Sequence, residues 1–131
     1  AVFTEGVFAA GCSRYGIADL EALVRDTHKF ESRYPEQLVA PYPEQKQVYV
    51  ERSPVHFVAR ASFPLMIQQG SEDPVVPRNQ ATAMVEALRK AGKTVDYVEF
   101  EGEGHGFKKA ENIVASVEEE LGFYERVLGL G

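Results

Sequence analysis

Two short loops carry the side chains best suited to acid–base chemistry. The first is GSEDPVVP, which contains Asp73 with Glu72 beside it, and the second is EGEGHGF, which contains His105. A histidine framed by glycines can project its ring freely, and a carboxylate that accepts the Nδ1 proton fixes the tautomer and stabilises the imidazolium. The pair is separated by 32 residues, one strand–helix–strand unit. We therefore predict that Asp73 and His105 form the acid–base half of a catalytic triad, with Glu72 as the competing acid.

The segments that must position these loops alternate between strand and helix patterns. FPLMIQQ (63–69) and TVDYVEFE (94–101) are predicted strands, because each is a short apolar or β-branched run. Between them a predicted helix, which stops at Gly92, has an apolar face made by Ala81, Met84, Val85 and Leu88. Each loop then follows the carboxyl end of a parallel strand, where α/β folds hold their ligand sites.

The rest of the chain fits the same α/β class, with parallel strands and flanking helices. GVFAAGCS (6–13) is predicted as a buried strand, and the four-proline segment 33–54 as a surface excursion of broken helix. Asp19 is predicted to cap a helix whose apolar face comprises Leu20, Leu23, Val24 and Thr27. The core face of a last helix is predicted to comprise Ile113, Val114, Val117, Leu121, Tyr124 and Leu128.

Composition excludes several classes of protein. The chain has 131 residues, 44% of them apolar, with a net charge of −6 and scattered basic residues, which argues against a nucleic-acid partner. It contains no apolar run long enough to span a membrane, and its start lacks the pattern of a signal peptide. The single cysteine, Cys12, excludes an internal disulfide and favours a reducing compartment, so we predict a cytoplasmic protein.

Structural roles are the alternative for each candidate residue. Asp73 could cap the following helix, and His105 could be a structural loop histidine. His28 and His56 are interpreted as surface or packing residues, and the histidines lack metal-ligand spacing, so no metal or cofactor is predicted. Glu101 and Glu103 are interpreted as solvating their loop.

The two loops also carry a resemblance to a known family. GSEDPVVP and GEGHGF, with the segment that joins them, resemble the C-terminal part of the peptidase domain of the prolyl oligopeptidase family, an α/β-hydrolase group. The resemblance extends from VFAAGCSRYGIADL to FYERVLGLG. It implies that residues 1–131 form a partial α/β-hydrolase peptidase domain without the half that bears the nucleophile. It also implies that Asp73 is the catalytic acid and His105 the general base, and that Cys12, Tyr15 and Val76 line the specificity pocket.

The nucleophile of such a hydrolase is a serine on a G-x-S-x-G turn, and this motif is not found in the chain. The nearest imitation is GCSRYG, where Gly11 precedes Ser13 correctly but the second glycine, Gly16, comes one position late. Ser13 is therefore interpreted as a residue beside the pocket. The motif is expected to precede residue 1.

Three functions remain open from the sequence. The first is a serine peptidase acting on peptide substrates, to which this chain contributes acid, base and part of the pocket. The second is an esterase of the same fold, similar to dienelactone hydrolases. The third is a non-catalytic α/β module for binding or assembly. In all three cases the expected partner of the chain is the missing half of the domain or a second copy of itself.

Overall fold

The computed structural model describes residue 3 and residues 6–27 and 34–130. The elements in this part of the chain are, in order, β1 (Gly11–Arg14), α1 (Leu20–Thr27), α2 (Tyr34–Leu38), α3 (Lys46–Glu51), a 3₁₀ segment (Pro54–Arg60), β2 (Leu65–Gly70), α4 (Arg78–Lys90), β3 (Val95–Phe100) and α5 (Ala110–Leu128).

The three strands form one parallel sheet in the order β1-β2-β3. Leu65 at the start of β2 pairs with Gly11 on one side and with Val95 on the other. The main core lies between this sheet and α4 and contains Leu65, Ile67, Ala81, Val85 and Leu88. The predicted α/β class is confirmed, and the parallel register brings the carboxyl ends of all three strands to one edge of the sheet.

The first predicted strand is shorter than expected. Only residues 11–14 pair with β2, whereas residues 6–9 form turns and bends, and the side chains of Val7 and Phe8 are exposed. Pairing starts at Gly11, whose amide bonds the carbonyl of Pro64 just before β2 begins. Residues 6–10 therefore have no β2 backbone opposite them, which is why the apolar run does not continue as a strand.

The excursion between β1 and β2 is broken helix, as predicted, but it also has a small core of its own. Asp19 accepts a hydrogen bond from the amide of Ala22 at 3.0 Å, which confirms the predicted cap of α1. Val24 of α1 packs with Ala40 and with Tyr49 of α3, and the hydroxyl of Tyr49 donates to the carbonyl of Ala40. The side chain of Thr27 lies outside the described residues. The excursion is thus stabilised by packing and hydrogen bonding of its own.

The predicted core face of α5 is wrong. Of the six side chains predicted to form it, Tyr124 is half-buried and the other five are exposed. These five, called the α5 stripe, are Ile113, Val114, Val117, Leu121 and Leu128. The buried side chains are Ser116 and Phe123, and the carbonyl of Ser116 accepts a hydrogen bond from Gln68 of β2 at 2.8 Å. The inward face of α5 thus carries the buried Phe123 and the hydrogen-bonded Ser116, so the stripe faces away from this three-stranded sheet.

We expect the 131-residue chain on its own to self-associate, because β1 is an edge strand of the described sheet and lies next to exposed apolar side chains. Light scattering should give a dimer mass at high micromolar concentration. Phe8→Lys should weaken the dimer if residues 7–13 form the contact, and Leu121→Lys should weaken it if the α5 stripe does. A monodisperse monomer over this concentration range would contradict the expectation.

Candidate active site

The loop between β2 and α4, residues 71–77, is called the acid loop and is organised by the carboxylate of Asp73. Its Oδ1 accepts hydrogen bonds from the backbone amides of Val75 at 2.8 Å and Val76 at 2.9 Å, and the side chain is completely buried. The carboxylate does not cap α4, whose N-cap is Pro77 and has no side-chain cap. The capping alternative is therefore wrong, and Oδ2 is held facing the neighbouring loop.

Gln69 lies next to the Asp73 carboxylate and helps to hold the acid loop, a role that was not predicted from the sequence. Its amide nitrogen donates to the carbonyl of Val76 at 3.0 Å and lies 3.4 Å from Oδ2 of Asp73, and its side chain is fully buried. The sequence did contain an indication that Gln69 has a structural role. Two glutamines at the end of an otherwise apolar strand, Gln68 and Gln69, are costly to bury unless they are hydrogen-bonded.

The loop between β3 and α5, residues 101–109, carries His105, the candidate base, and is called the base loop; it is closed by Glu103. This carboxylate accepts the amides of Lys108 at 2.8 Å and Lys109 at 3.0 Å, together with the side-chain amide of Asn112 at 2.8 Å. Only 2% of Glu103 is exposed, so the interpretation of this residue as a solvating side chain is wrong, whereas Glu101 is exposed. The hydrogen bond from Asn112, followed by those from the two amides, lowers the pKa of Glu103 below its usual value.

His105 meets Asp73 where the two loops adjoin. Its Nδ1 lies 2.9 Å from Oδ2 of Asp73, and 40% of the imidazole side chain is exposed while none of the carboxylate is. Among the described residues, Nε2 has no hydrogen-bond partner. Glu72, the competing acid, is exposed and contacts the base loop through its backbone amide, which donates to the carbonyl of Glu103. The geometry can therefore orient a ring whose second nitrogen is available to a reacting group.

Tyr15 lies beside this pair. Its ring centroid is 5.3 Å from that of His105 and 5.0 Å from that of Phe107, and its hydroxyl accepts the backbone amide of Phe107 at 3.2 Å. The backbone of Tyr15 is left-handed, with φ of 54°, which is unusual for a residue with a large side chain. This turn directly after β1 directs the aromatic ring over the base loop.

The other two predicted pocket residues differ in their relation to the pair. Val76 contributes its backbone amide to Asp73, while its side chain is 3% exposed. Cys12 is half-buried on β1, where burial, followed by the charge of Glu120, raises the pKa of its thiol to about 11. The electrostatic neighbours of Cys12 are thus Glu120, Arg14 and Tyr124.

No hydrogen bond joins Ser13 to His105 in the described part of the chain. Ser13 lines an open, mainly apolar cavity of about 470 Å³, whose walls also include Ile67, Ala81 and Met84. The last two side chains belong to α4, so the cavity is on the α4 side of the sheet. This placement fits the interpretation of Ser13 as a residue other than the nucleophile.

Within the described residues, neither the other histidine nor the helices add a second site. His56 is exposed, and His28 lies outside the described residues. Within residues 6–27 and 34–130, no group of three or more His, Cys, Asp or Glu side chains could hold a metal ion. None of the helices described for this chain has the length and apolar character required to cross a membrane.

Gly70 allows the acid loop and the base loop to lie close together, and a substitution at this position tests that close approach. A Cβ at this position would overlap the main-chain oxygens of Glu103 and Gly104, so we expect Gly70→Ala to displace the base loop and to destabilise the chain by about 1–3 kcal/mol. Gly122→Ala is the matched control, because a Cβ there meets nothing within 4 Å and alanine favours the helix. Urea unfolding measures both variants. Equal stability of Gly70→Ala and Gly122→Ala would contradict the steric argument.

The fold consists of parallel strands with flanking helices, and the loops after two of the strands carry a carboxylate and a histidine. These features define the C-terminal part of an α/β-hydrolase fold. A solved Mycobacterium tuberculosis puromycin-hydrolyzing peptidase shares this fold with a TM-score of 0.92 and 41% sequence identity. The match covers 98% of this chain and 20% of that protein.

Family membership follows from the sequence as a whole. Residues 1–131 match the model of the prolyl oligopeptidase family. Dipeptidyl aminopeptidase BIII of Pseudoxanthomonas mexicana is 32% identical over 97% of the chain and 19% of its own length, and esterase LipQ of Mycobacterium tuberculosis is 30% identical over 79% and 25%. The chain therefore belongs to the prolyl oligopeptidase family, as its two loops indicated. It spans about a fifth of the length of the peptidases that it matches.

Proposed function

We propose that this chain supplies the acid and the base of a Ser-Asp-His triad in a serine peptidase, with the serine contributed by a segment outside these 131 residues. The observation that carries the proposal is the 2.9 Å contact between Nδ1 of His105 and Oδ2 of Asp73. The burial of the carboxylate and the exposure of the ring support it, because they leave Nε2 as the atom that can reach a nucleophile.

In the proposed mechanism, the serine hydroxyl attacks the carbonyl carbon of the scissile peptide while Nε2 of His105 takes its proton. Asp73 holds the Nδ1 proton and stabilises the imidazolium that forms. The imidazolium then gives its proton to the leaving amine, which departs and leaves an acyl-enzyme. A water molecule, deprotonated by the same nitrogen, releases the acid product and restores the serine.

The pocket roles of Tyr15, Cys12 and Val76 are part of the same proposal. The position of the Tyr15 ring, 5.3 Å from the imidazole, supports a contact with substrate next to the scissile bond. Cys12 and Val76 are then the floor of the pocket rather than its rim, since the first is half-buried and the second almost fully buried.

The substrate class proposed here is an aminoacyl or dipeptidyl amide. The similarity to a puromycin-hydrolyzing peptidase and to a dipeptidyl aminopeptidase favours it. The alternative is ester hydrolysis by the same groups, favoured by the similarity to esterase LipQ. A cytoplasmic location stays a prediction from the single cysteine.

A chimera tests the proposal directly. In it, this chain replaces the matched fifth of the Mycobacterium tuberculosis puromycin-hydrolyzing peptidase, so that the nucleophile comes from the host protein. We expect the chimera to hydrolyse puromycin and dipeptidyl arylamides. Faster turnover of short-chain esters than of any amide would favour the esterase. A folded chimera without turnover of either substrate would favour the non-catalytic module.

A further inference from the structure

The base loop is a closed unit whose two ends are joined by one carboxylate. Glu103 stands two residues before His105, and its two oxygens accept three hydrogen bonds from residues 108, 109 and 112, which follow the histidine. The segment that carries His105 is thus bridged across its base. Within the bridge, Gly104 and Gly106 pair with each other, so the histidine is at the tip of a narrow turn.

The backbone of the same residue connects this unit to the acid. The carbonyl of Glu103 accepts the amide of Glu72 at 2.9 Å, and Glu72 immediately precedes Asp73. Glu103 therefore contacts the acid loop through its main chain and the start of α5 through its side chain. A shift of this residue would change the separation of Asp73 and His105.

A carboxylate is required for this role. All three groups that face the oxygens of Glu103 are N–H donors, and two of them are backbone amides at the N-terminus of α5, where negative charge is favoured. Glutamine at this position would have to turn its own NH₂ group toward at least one of these donors. Aspartate would be one methylene too short to span the loop.

We propose that Glu103 is a positioning residue for the general base: by bridging the loop from residue 103 to residue 109, it holds the His105 ring so that Nδ1 meets Asp73. The proposal rests on the proposed function of His105 as the base. No hydrogen bond joins the Glu103 carboxylate to the imidazole in the described part of the chain. Its effect on catalysis therefore passes through the loop.

The test is the tautomer of His105 in the ¹⁵N-labelled 131-residue chain, followed by nitrogen chemical shifts. In the wild-type chain we expect the neutral ring to hold its proton on Nδ1, because Asp73 accepts it there. Glu103→Gln should reduce this form to a minority in favour of the Nε2-protonated ring. Glu101→Gln, which removes the same charge from an exposed neighbour in the same loop, should leave the tautomer unchanged.

Two further variants separate the possible failures. Asp73→Asn should also remove the Nδ1 preference; if it does not, the pair itself is wrong and the proposed function fails with it. If Asp73→Asn changes the tautomer while a folded Glu103→Gln does not, only the positioning role is overturned. If Glu103→Gln loses its dispersed amide spectrum, the variant is unfolded and Asn112→Ala takes its place. Asn112→Ala removes one of the three donors to Glu103 and must shift the tautomer in the same direction. An unchanged tautomer in Asn112→Ala would then overturn the proposal.

Discussion

In the chimera that supplies a nucleophile, we expect Asp73→Asn to lower kcat by about 10⁴-fold while KM changes little. The asparagine amide would present a donor to Nδ1, and the ring would be held in the tautomer that cannot accept the serine proton. Binding should be largely unaffected, because the carboxylate is completely buried. His105→Ala removes the base itself and should abolish measurable turnover.

Glu72→Gln is the matched control for this result. Glu72 is the adjacent acid and is exposed, and its contact with the base loop is made by the backbone amide, which the substitution keeps. Turnover of Glu72→Gln should equal that of the unmodified chimera. Full activity of Asp73→Asn beside an inactive Glu72→Gln would show that the acid is Glu72.

On its own, the 131-residue chain should be inert toward peptides and esters, and a fluorophosphonate probe should leave all six of its serines unlabelled. No serine in the part of the chain that the structure describes is hydrogen-bonded to His105, and Ser13 lines a cavity on the α4 side of the sheet. The oxyanion hole also needs the amide that follows the nucleophile. The chimera serves as the positive control, and its host serine should be labelled. Stoichiometric labelling of Ser13 in the isolated chain would contradict this expectation and make GCSRYG a working nucleophile motif.

Much of the site could be predicted from the sequence because its geometry follows from local patterns. Apolar runs predicted β2 and β3 and a 3.6-residue period predicted α4; the observed bounds, Leu65–Gly70, Arg78–Lys90 and Val95–Phe100, lie inside or close to those predicted. Strands joined in this way pair in parallel, so their carboxyl ends coincide. The contact between Asp73 and His105 follows from that topology and from the freedom of the glycines around the histidine.

Other features were decided only by tertiary structure, because they depend on which groups meet across the fold. The rotation of α5 is one, since Phe123 and Ser116 face inward and the α5 stripe, which the apolar period had marked as the core face, is exposed. Glu103 is another: in sequence it is one of two similar glutamates in a polar loop, and only the folded chain brings three N–H donors to its carboxylate. Burial of a charge is tolerated where such partners are complete, and a linear sequence does not show whether they are. The sequence by itself thus identified Asp73 and His105 as a pair, and the tertiary structure decided what holds them at hydrogen-bonding distance.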